Sequence, residues 1–215
     1  MDSNLGHAVD DWGRDPSLVR AVMRFSQIRW DVAIGGQQHL PHREGALVVI
    51  NARALALAPI FSALALSKVI DRPVRFVGRP DTAPIGAFLR RIGGLLDDPD
   101  EVAGALAAKE IVIVGASHDL HLRKVGRVDH ALVGAALAAG AAVLPAATSS
   151  NPIGRSARLE IGARSRSART RRGPLAELEL ADQVARDIEL LLAELGDIRT
   201  GTPIDWLPIS AIGGA

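Results

Sequence analysis

A chain of 215 residues without cysteine is long enough to bury a core as one domain, but it has neither disulfides nor thiol chemistry. Its 25 basic and 24 acidic side chains give a formal net charge of +1, so no global field draws it to nucleic acid or to a membrane. No apolar run approaches the roughly 18–20 residues of a spanning helix, and residues 1–15 lack the pattern of a signal peptide. These features predict a cytoplasmic protein.

Helical and strand patterns alternate along the chain. The predicted helices cover residues 16–28, 59–70, 85–92, 101–108, 129–139 and 175–195. The predicted strands cover residues 30–34, 46–50, 74–78, 111–115, 143–147 and 158–161. This alternation is typical of an α/β fold. No long linker divides the sequence, so we expect one α/β domain over residues 16–196, with a flexible N-terminus at residues 1–15 and a C-terminal tail at residues 197–215.

The segment from residue 34 to residue 59 is the most informative stretch. A Leu-Pro turn and a polar loop lead into a buried strand, which is followed by Asn51 and a helix start. This arrangement resembles the active-site entry of the glycerophospholipid and lysophospholipid acyltransferase family (1-acylglycerol-3-phosphate acyltransferase-like), in which an apolar strand leads into Asn-His-x-x-x-x-Asp. In this sequence Ala52 stands at the histidine position and Leu57 at the aspartate position.

Three later segments resemble further blocks of the same family. In residues 74–98, glycines and a proline match, while Asp97 or Asp98 falls at the position of a phosphate-binding arginine. Residues 111–119 provide an apolar strand and a polar turn, although the family's acidic and basic residues are replaced there. Residues 140–147 match an apolar strand that contains proline. Because the matching residues serve turns and packing, the resemblance implies a related scaffold with an altered site.

The resemblance implies a single-domain mixed sheet flanked by helices, and it implies a chemistry. In the family, the histidine is the general base for a glycerol hydroxyl that attacks an acyl thioester, and the aspartate orients the histidine. A chain without this pair is expected to be catalytically degenerate and to bind a lipid or acyl group. The alternative is an active acyltransferase with a relocated general base, which transfers an acyl chain from a thioester to a lipid hydroxyl.

The same resemblance gives the candidate site residues. Substrate-binding residues are expected at Asn51, Arg53, Gly115, Ser117, Arg123 and Lys124. His118 and Asp119 are the candidates for a replacement catalytic pair, because they fall in the third block beside the family's substrate cleft. Acyl-CoA or an acyl-carrier thioester is the expected ligand, with no cofactor and no metal.

Two other interpretations concern the same residues. Gly115, Ala116 and Ser117 after a strand match half of the nucleophile elbow of hydrolases, but Asp119 occupies the final glycine position, so a polar turn is favoured. Asp119 and His121 would share one face of an extended segment and could bind a metal ion. A third ligand is not evident, so solvated loop residues are favoured there.

A basic segment lies at residues 155–172, between Arg155 and Arg172. It could dock on an anionic membrane at the inner face or on an acidic protein partner, or it could be a solvated loop. Aromatic stacking residues are absent nearby, so nucleic acid is not an expected partner. The helix at residues 16–28 could also lie on a membrane, although packing against the core is favoured.

Overall fold

The computed structural model describes residues 9–52, 57–116, 125–150, 155–167 and 173–196. In this part of the chain, the strands are β1 (Asp31–Gly35), β2 (Ala46–Ile50), β3 (Val74–Val77), β4 (Gly94–Leu95), β5 (Ile111–Gly115), β6 (Ala142–Ser150) and β7 (Ser156–Ile161). The helices are α1 (Pro16–Arg29), α2 (Ala58–Ile70), α3 (Ile85–Arg91), α4 (Pro99–Ala107), α5 (His130–Ala138) and α6 (Pro174–Glu194). The predicted helices and strands are confirmed with shifted ends, and β4 is an element that the sequence pattern did not indicate.

The described strands form one seven-stranded sheet in the order β1-β7-β6-β2-β5-β3-β4. Strands β6, β2, β5, β3 and β4 are parallel, whereas β7 is antiparallel to β6 and parallel to β1. The mixed sheet flanked by helices is therefore confirmed. Its parallel centre brings the carboxyl ends of β2, β5, β3 and β6 to one edge of the sheet.

Strand β2 shows why the sheet carries helices on both faces. All five of its side chains are buried, as is typical of a parallel strand covered on both sides. Leu47 and Val49 pack towards α4, α5 and α6, while Val48 and Ile50 pack towards α1, α2 and α3. The resulting three layers leave the strand ends as the place where polar groups can reach a ligand.

Helix α1 packs against the core. Asp15 caps its first turn by accepting the Ser17 and Leu18 amides, and Val19 is buried in the cluster beneath α2. Phe25 points outward with 76% of its surface exposed. The favoured interpretation of a core-packed helix is therefore confirmed. No helix in the described ranges is long and apolar enough to span a bilayer.

Residues 9–15 differ from the loose segment expected at the N-terminus, because they make specific contacts with the domain. Asp10 Oδ2 accepts a 2.6 Å hydrogen bond from Nη2 of Arg75, a strand residue that is completely buried. The same Nη2 lies 3.2 Å from Glu110 Oε1. A buried guanidinium needs such partners, because an unpaired charge away from water is strongly destabilising. Residues 1–8 lie outside the described ranges.

Candidate functional site

The carboxyl ends of β2, β5 and β6 meet at one edge of the sheet. Ile50 at the end of β2 is level with Gly115 of β5 and Ala146 of β6. The Ala116 amide donates a 2.7 Å hydrogen bond to the Ile50 carbonyl, so the chain continues in register beyond the end of β5. We call the residues that follow these strand ends the strand-end edge. Open α/β sheets bind ligands outside the carboxyl ends of their strands, so this edge is the candidate site.

Asn51 stands at this edge with its side chain turned into the protein. Its Oδ1 accepts hydrogen bonds from the amide and hydroxyl of Thr148 at 2.6 and 3.0 Å, and its Nδ2 donates to the Thr148 carbonyl at 2.9 Å. Both residues are 4% exposed. An asparagine side chain has two N–H donors, so one donor is left beyond these contacts. Asn51 thus links two strands, and its predicted role in substrate binding stays a prediction.

Gly115 lies against the backbone that follows β2. A Cβ at this position would stand 2.7 Å from the Ala52 carbonyl oxygen, closer than side chains are normally found to approach. Glycine is therefore required for the two strand ends to come this near. The structure places Asn51, just after β2, and Gly115, at the end of β5, on neighbouring strand ends, and the role of Gly115 in substrate binding stays a prediction.

The other predicted site residues fall outside the described part of the chain. They are Arg53, Ser117, His118, Asp119, Arg123 and Lys124, together with the metal-ligand candidate His121. Their proposed roles stay predictions.

Apolar side chains fill both positions at which the resembled family has its catalytic pair. Ala52 is 2% exposed and belongs to the buried cluster beneath α2. Leu57 directly precedes α2, packs against the same cluster and accepts the Phe61 amide with its carbonyl at 3.0 Å. Neither side chain can accept or orient a proton. Ala52 therefore packs in the core, and Leu57 packs against it at the N-cap position of α2.

Asp98 has a structural role at the start of α4. Its backbone is extended, and its Oδ1 accepts the Asp100 amide at 3.2 Å, as in an N-cap. Pro99 follows at the first helical position, where proline is favoured. Helix capping therefore accounts for an acidic residue at the place where the family resemblance predicts a cation. Asp97 beside it is exposed.

Sequence reasoning missed a cation at the same edge. Arg79 is the second residue after the end of β3, and β3 runs parallel to β5. Its Nη2 lies 3.2 Å from Glu101 Oε1, and its side chain is only 12% exposed. Its Nε is buried and has no hydrogen-bond partner among the described residues. A basic residue directly after the predicted strand at residues 74–78 was the available signal.

Glu101 holds the Arg79 guanidinium in place. Its Oε2 also accepts the Leu96 amide at 3.1 Å, so the carboxylate is fixed by the backbone that follows β4. The pair is largely buried, with Glu101 19% exposed. The Arg79 guanidinium is therefore held in one orientation by Glu101.

The described basic side chains of the segment lie at both ends of β7 and within it. Arg155 precedes β7 and donates to the Gln27 carbonyl at 2.9 Å, whereas Arg164 and Arg166 are exposed beyond the other end of that strand. Arg158, within β7, pairs with Glu160 at 3.0 Å. Six strand residues separate the two ends, about 20 Å at the usual rise. Residues 168–172 lie outside the described ranges.

Comparison with solved structures gives the class of fold. The chain is similar to the crystal structure of the 1-acyl-sn-glycerophosphate (LPA) acyltransferase PlsC from Thermotoga maritima, with a TM-score of 0.54 and 16% sequence identity. The match covers 81% of this chain and 81% of that one. The sequence itself matches no family model and no curated protein. The protein therefore has an acyltransferase-like α/β fold.

Proposed function

We propose that this protein is a degenerate relative of the glycerophospholipid acyltransferases that binds a lipid or an acyl group at the strand-end edge without the usual transfer chemistry. One observation carries the proposal: on an acyltransferase-like fold, Ala52 and Leu57 are packed into the core beneath α2. A positioned general base contributes roughly a hundred- to ten-thousand-fold in rate. Alanine cannot accept a proton and leucine cannot orient an imidazole, so this contribution is missing from both positions.

The charges at the edge support an anionic ligand. Arg79 is buried, fixed by Glu101, and has an unsatisfied Nε among the described contacts. A guanidinium fixed in this way can bind a phosphate or carboxylate through any N–H group that reaches the surface. A lipid or acyl thioester that carries a phosphate group fits both the arginine at this edge and the acyltransferase-like fold.

The test is an assay of acyl transfer from acyl-CoA to lysophosphatidic acid or glycerol phosphate, in which the consumption of the thioester is measured. We expect no turnover above the enzyme-free rate from the wild type, and an acyl ligand retained in native mass spectrometry of gently purified protein. The Ala52→His, Leu57→Asp double variant is the matched gain-of-function comparison. Because both positions contact the core, circular dichroism must first show that the double variant folds.

Two outcomes decide between the proposal and its alternative. Robust wild-type turnover overturns the proposed loss of chemistry. If that turnover is then lost in His118→Ala, with the fold intact, the protein is an acyltransferase with a relocated general base. An inert wild type that retains a lipid or acyl ligand supports the binding function.

A further inference from the structure

A groove lies between α1 and α2 beside the first residues of β1. Its volume is about 450 Å³, within the roughly 300–1,000 Å³ of small-molecule sites. None of its lining residues is among the residues that form the strand-end edge. Helix α2 connects the two regions, because it begins just after Leu57 and lines the groove from Phe61 to Val69.

The floor of this groove is apolar. Trp30 and Phe61 stand edge to face with their ring centroids 6.5 Å apart, and Trp30 is 2% exposed. Leu64 is buried beside them, and the small side chain of Ala65 leaves space between the helices. An aliphatic or aromatic group that reaches this floor would gain by contact with it, because burying apolar surface is favourable.

The rim of the groove carries a net positive charge. Lys68 on α2 and Arg155 before β7 line it, and both side chains are exposed. Asp31 is the acidic residue of the lining. Arg155 is positioned by the hydrogen bond from its Nη2 to the Gln27 carbonyl, so its guanidinium is held at the groove. Two cations against one carboxylate over an apolar floor are complementary to an anion with an aliphatic tail.

We infer that this groove binds the chain of a single-chain anionic lipid, with the head group beside Lys68 and Arg155. The inference goes beyond the proposed function, because it gives a lipid chain and its head group a second site, outside the strand-end edge. Affinity should rise about fourfold for each added methylene until the groove is filled. Removing the negative charge of the head group should weaken binding, because charge-assisted contacts to the two cations are then lost.

The experiment uses Trp30 as a local reporter. The chain has three tryptophans, so Trp12→Phe and Trp206→Phe leave Trp30 as the single fluorophore. Palmitate brominated along its chain should quench Trp30 saturably, and brominated methyl palmitate should bind more weakly. Unlabelled palmitate and palmitoyl lysophosphatidic acid, added as competitors, distinguish a free fatty acid from a lysophospholipid.

Two variants test the floor and the rim separately. Ala65→Phe fills the groove, and Lys68→Glu reverses one rim charge on an exposed side chain in the last turn of α2. Each should weaken palmitate binding about tenfold or more, the effect of losing one modest contact. The matched controls are Ala107→Phe and Lys109→Glu, which change exposed residues near the end of α4 and should bind as the wild type does.

The results separate this inference from the proposed function. Palmitate that is retained in native mass spectrometry but does not quench Trp30 overturns the groove and leaves the binding function intact. Quenching unchanged in both Ala65→Phe and Lys68→Glu also overturns it. Acyl transfer by the wild type would refute the proposed loss of chemistry, while saturable quenching of Trp30 that is sensitive to Lys68→Glu would still support the groove.

Discussion

Asn51 and Thr148 are joined by three hydrogen bonds at the carboxyl ends of β2 and β6, so that one side chain continues the ladder beyond the last paired strand residues. The Asn51 amide group satisfies the backbone N–H and C=O of Thr148, which would otherwise be buried without partners. β6 runs on to Ser150 past the end of β2, and this contact fixes the direction of that extension. The geometry of the strand-end edge therefore depends on Asn51, which the sequence predicted to bind substrate and not to join two strands.

Asn51→Ala should destabilise the fold by about 1–3 kcal/mol, because the amide and carbonyl of Thr148 lose their partner in a buried place. Thr148→Val is the matched control, since it removes only the hydroxyl contact and should cost about 1 kcal/mol. Urea unfolding of both variants measures the difference. A smaller effect for Asn51→Ala than for Thr148→Val would contradict the bridging role.

Gly115→Ala tests the close approach of the two strand ends. The added methyl group would meet the Ala52 carbonyl oxygen at 2.7 Å, and a backbone atom cannot move aside easily. We expect a loss of about 1–3 kcal/mol in the free energy of unfolding. In the control Gly134→Ala on α5, the methyl group meets the flexible carboxylate of Glu177, so helix propensity should make that variant neutral or stabilising. Equal effects of the two substitutions would argue against the packing described at this edge.

The sequence predicted the framework because apolar periodicity is a local property. The central strands are continuous apolar runs, and the helices between them have one apolar face, so their positions follow from neighbours in sequence. Strand β4 was not predicted because a strand of two residues is too short to show an alternation of apolar and polar side chains. The exact ends also differ, as in β6, whose polar residues 148–150 continue a ladder with β7 that only the tertiary structure defines.

The site was harder to predict because its contacts join distant residues. The family resemblance set Asp97 or Asp98 at the position of a phosphate-binding arginine, and the structure shows that Asp98 is the N-cap of α4. The position of Arg79 at this edge depends on its pairing with Glu101 and on the parallel pairing of β3 with β5, which the sequence does not show. The basic segment looked continuous in sequence, and β7 separates its two ends. Met23 and Arg155 line the same groove, although no sequence spacing indicates that they come near each other.

If the basic segment docks on anionic lipid, binding to vesicles that contain phosphatidylserine should weaken as salt rises, since the screening length falls to about 8 Å at physiological ionic strength. Arg164→Gln with Arg166→Gln should weaken it by about thirtyfold, at roughly 1 kcal/mol for each cation. The control Arg20→Gln with Arg24→Gln removes the same charge from exposed positions on α1. Equal losses in both double variants, or equal binding to neutral vesicles, would rule out docking by this segment.

The last prediction concerns Asp15 and acid stability. Its carboxylate accepts the Ser17 hydroxyl at 2.6 Å, the Arg91 guanidinium at 2.6 Å and the Leu18 amide, and these contacts hold the pKa of Asp15 well below its usual range. A carboxyl group whose pKa is lowered by folding stabilises the folded state at every pH above its unfolded pKa of about 3.9, and this stabilisation is lost as the pH falls towards the folded pKa. Asp15→Asn keeps a capping side chain but removes the charge. We therefore expect it to be less stable than the wild type at neutral pH, with the difference in unfolding free energy shrinking below about pH 4. Urea unfolding across this range measures the difference, and Asp182→Asn, exposed on α6, is the matched control that should show little change. A difference that stays constant from neutral to strongly acid pH would mean that the charge of Asp15 does not stabilise the start of α1.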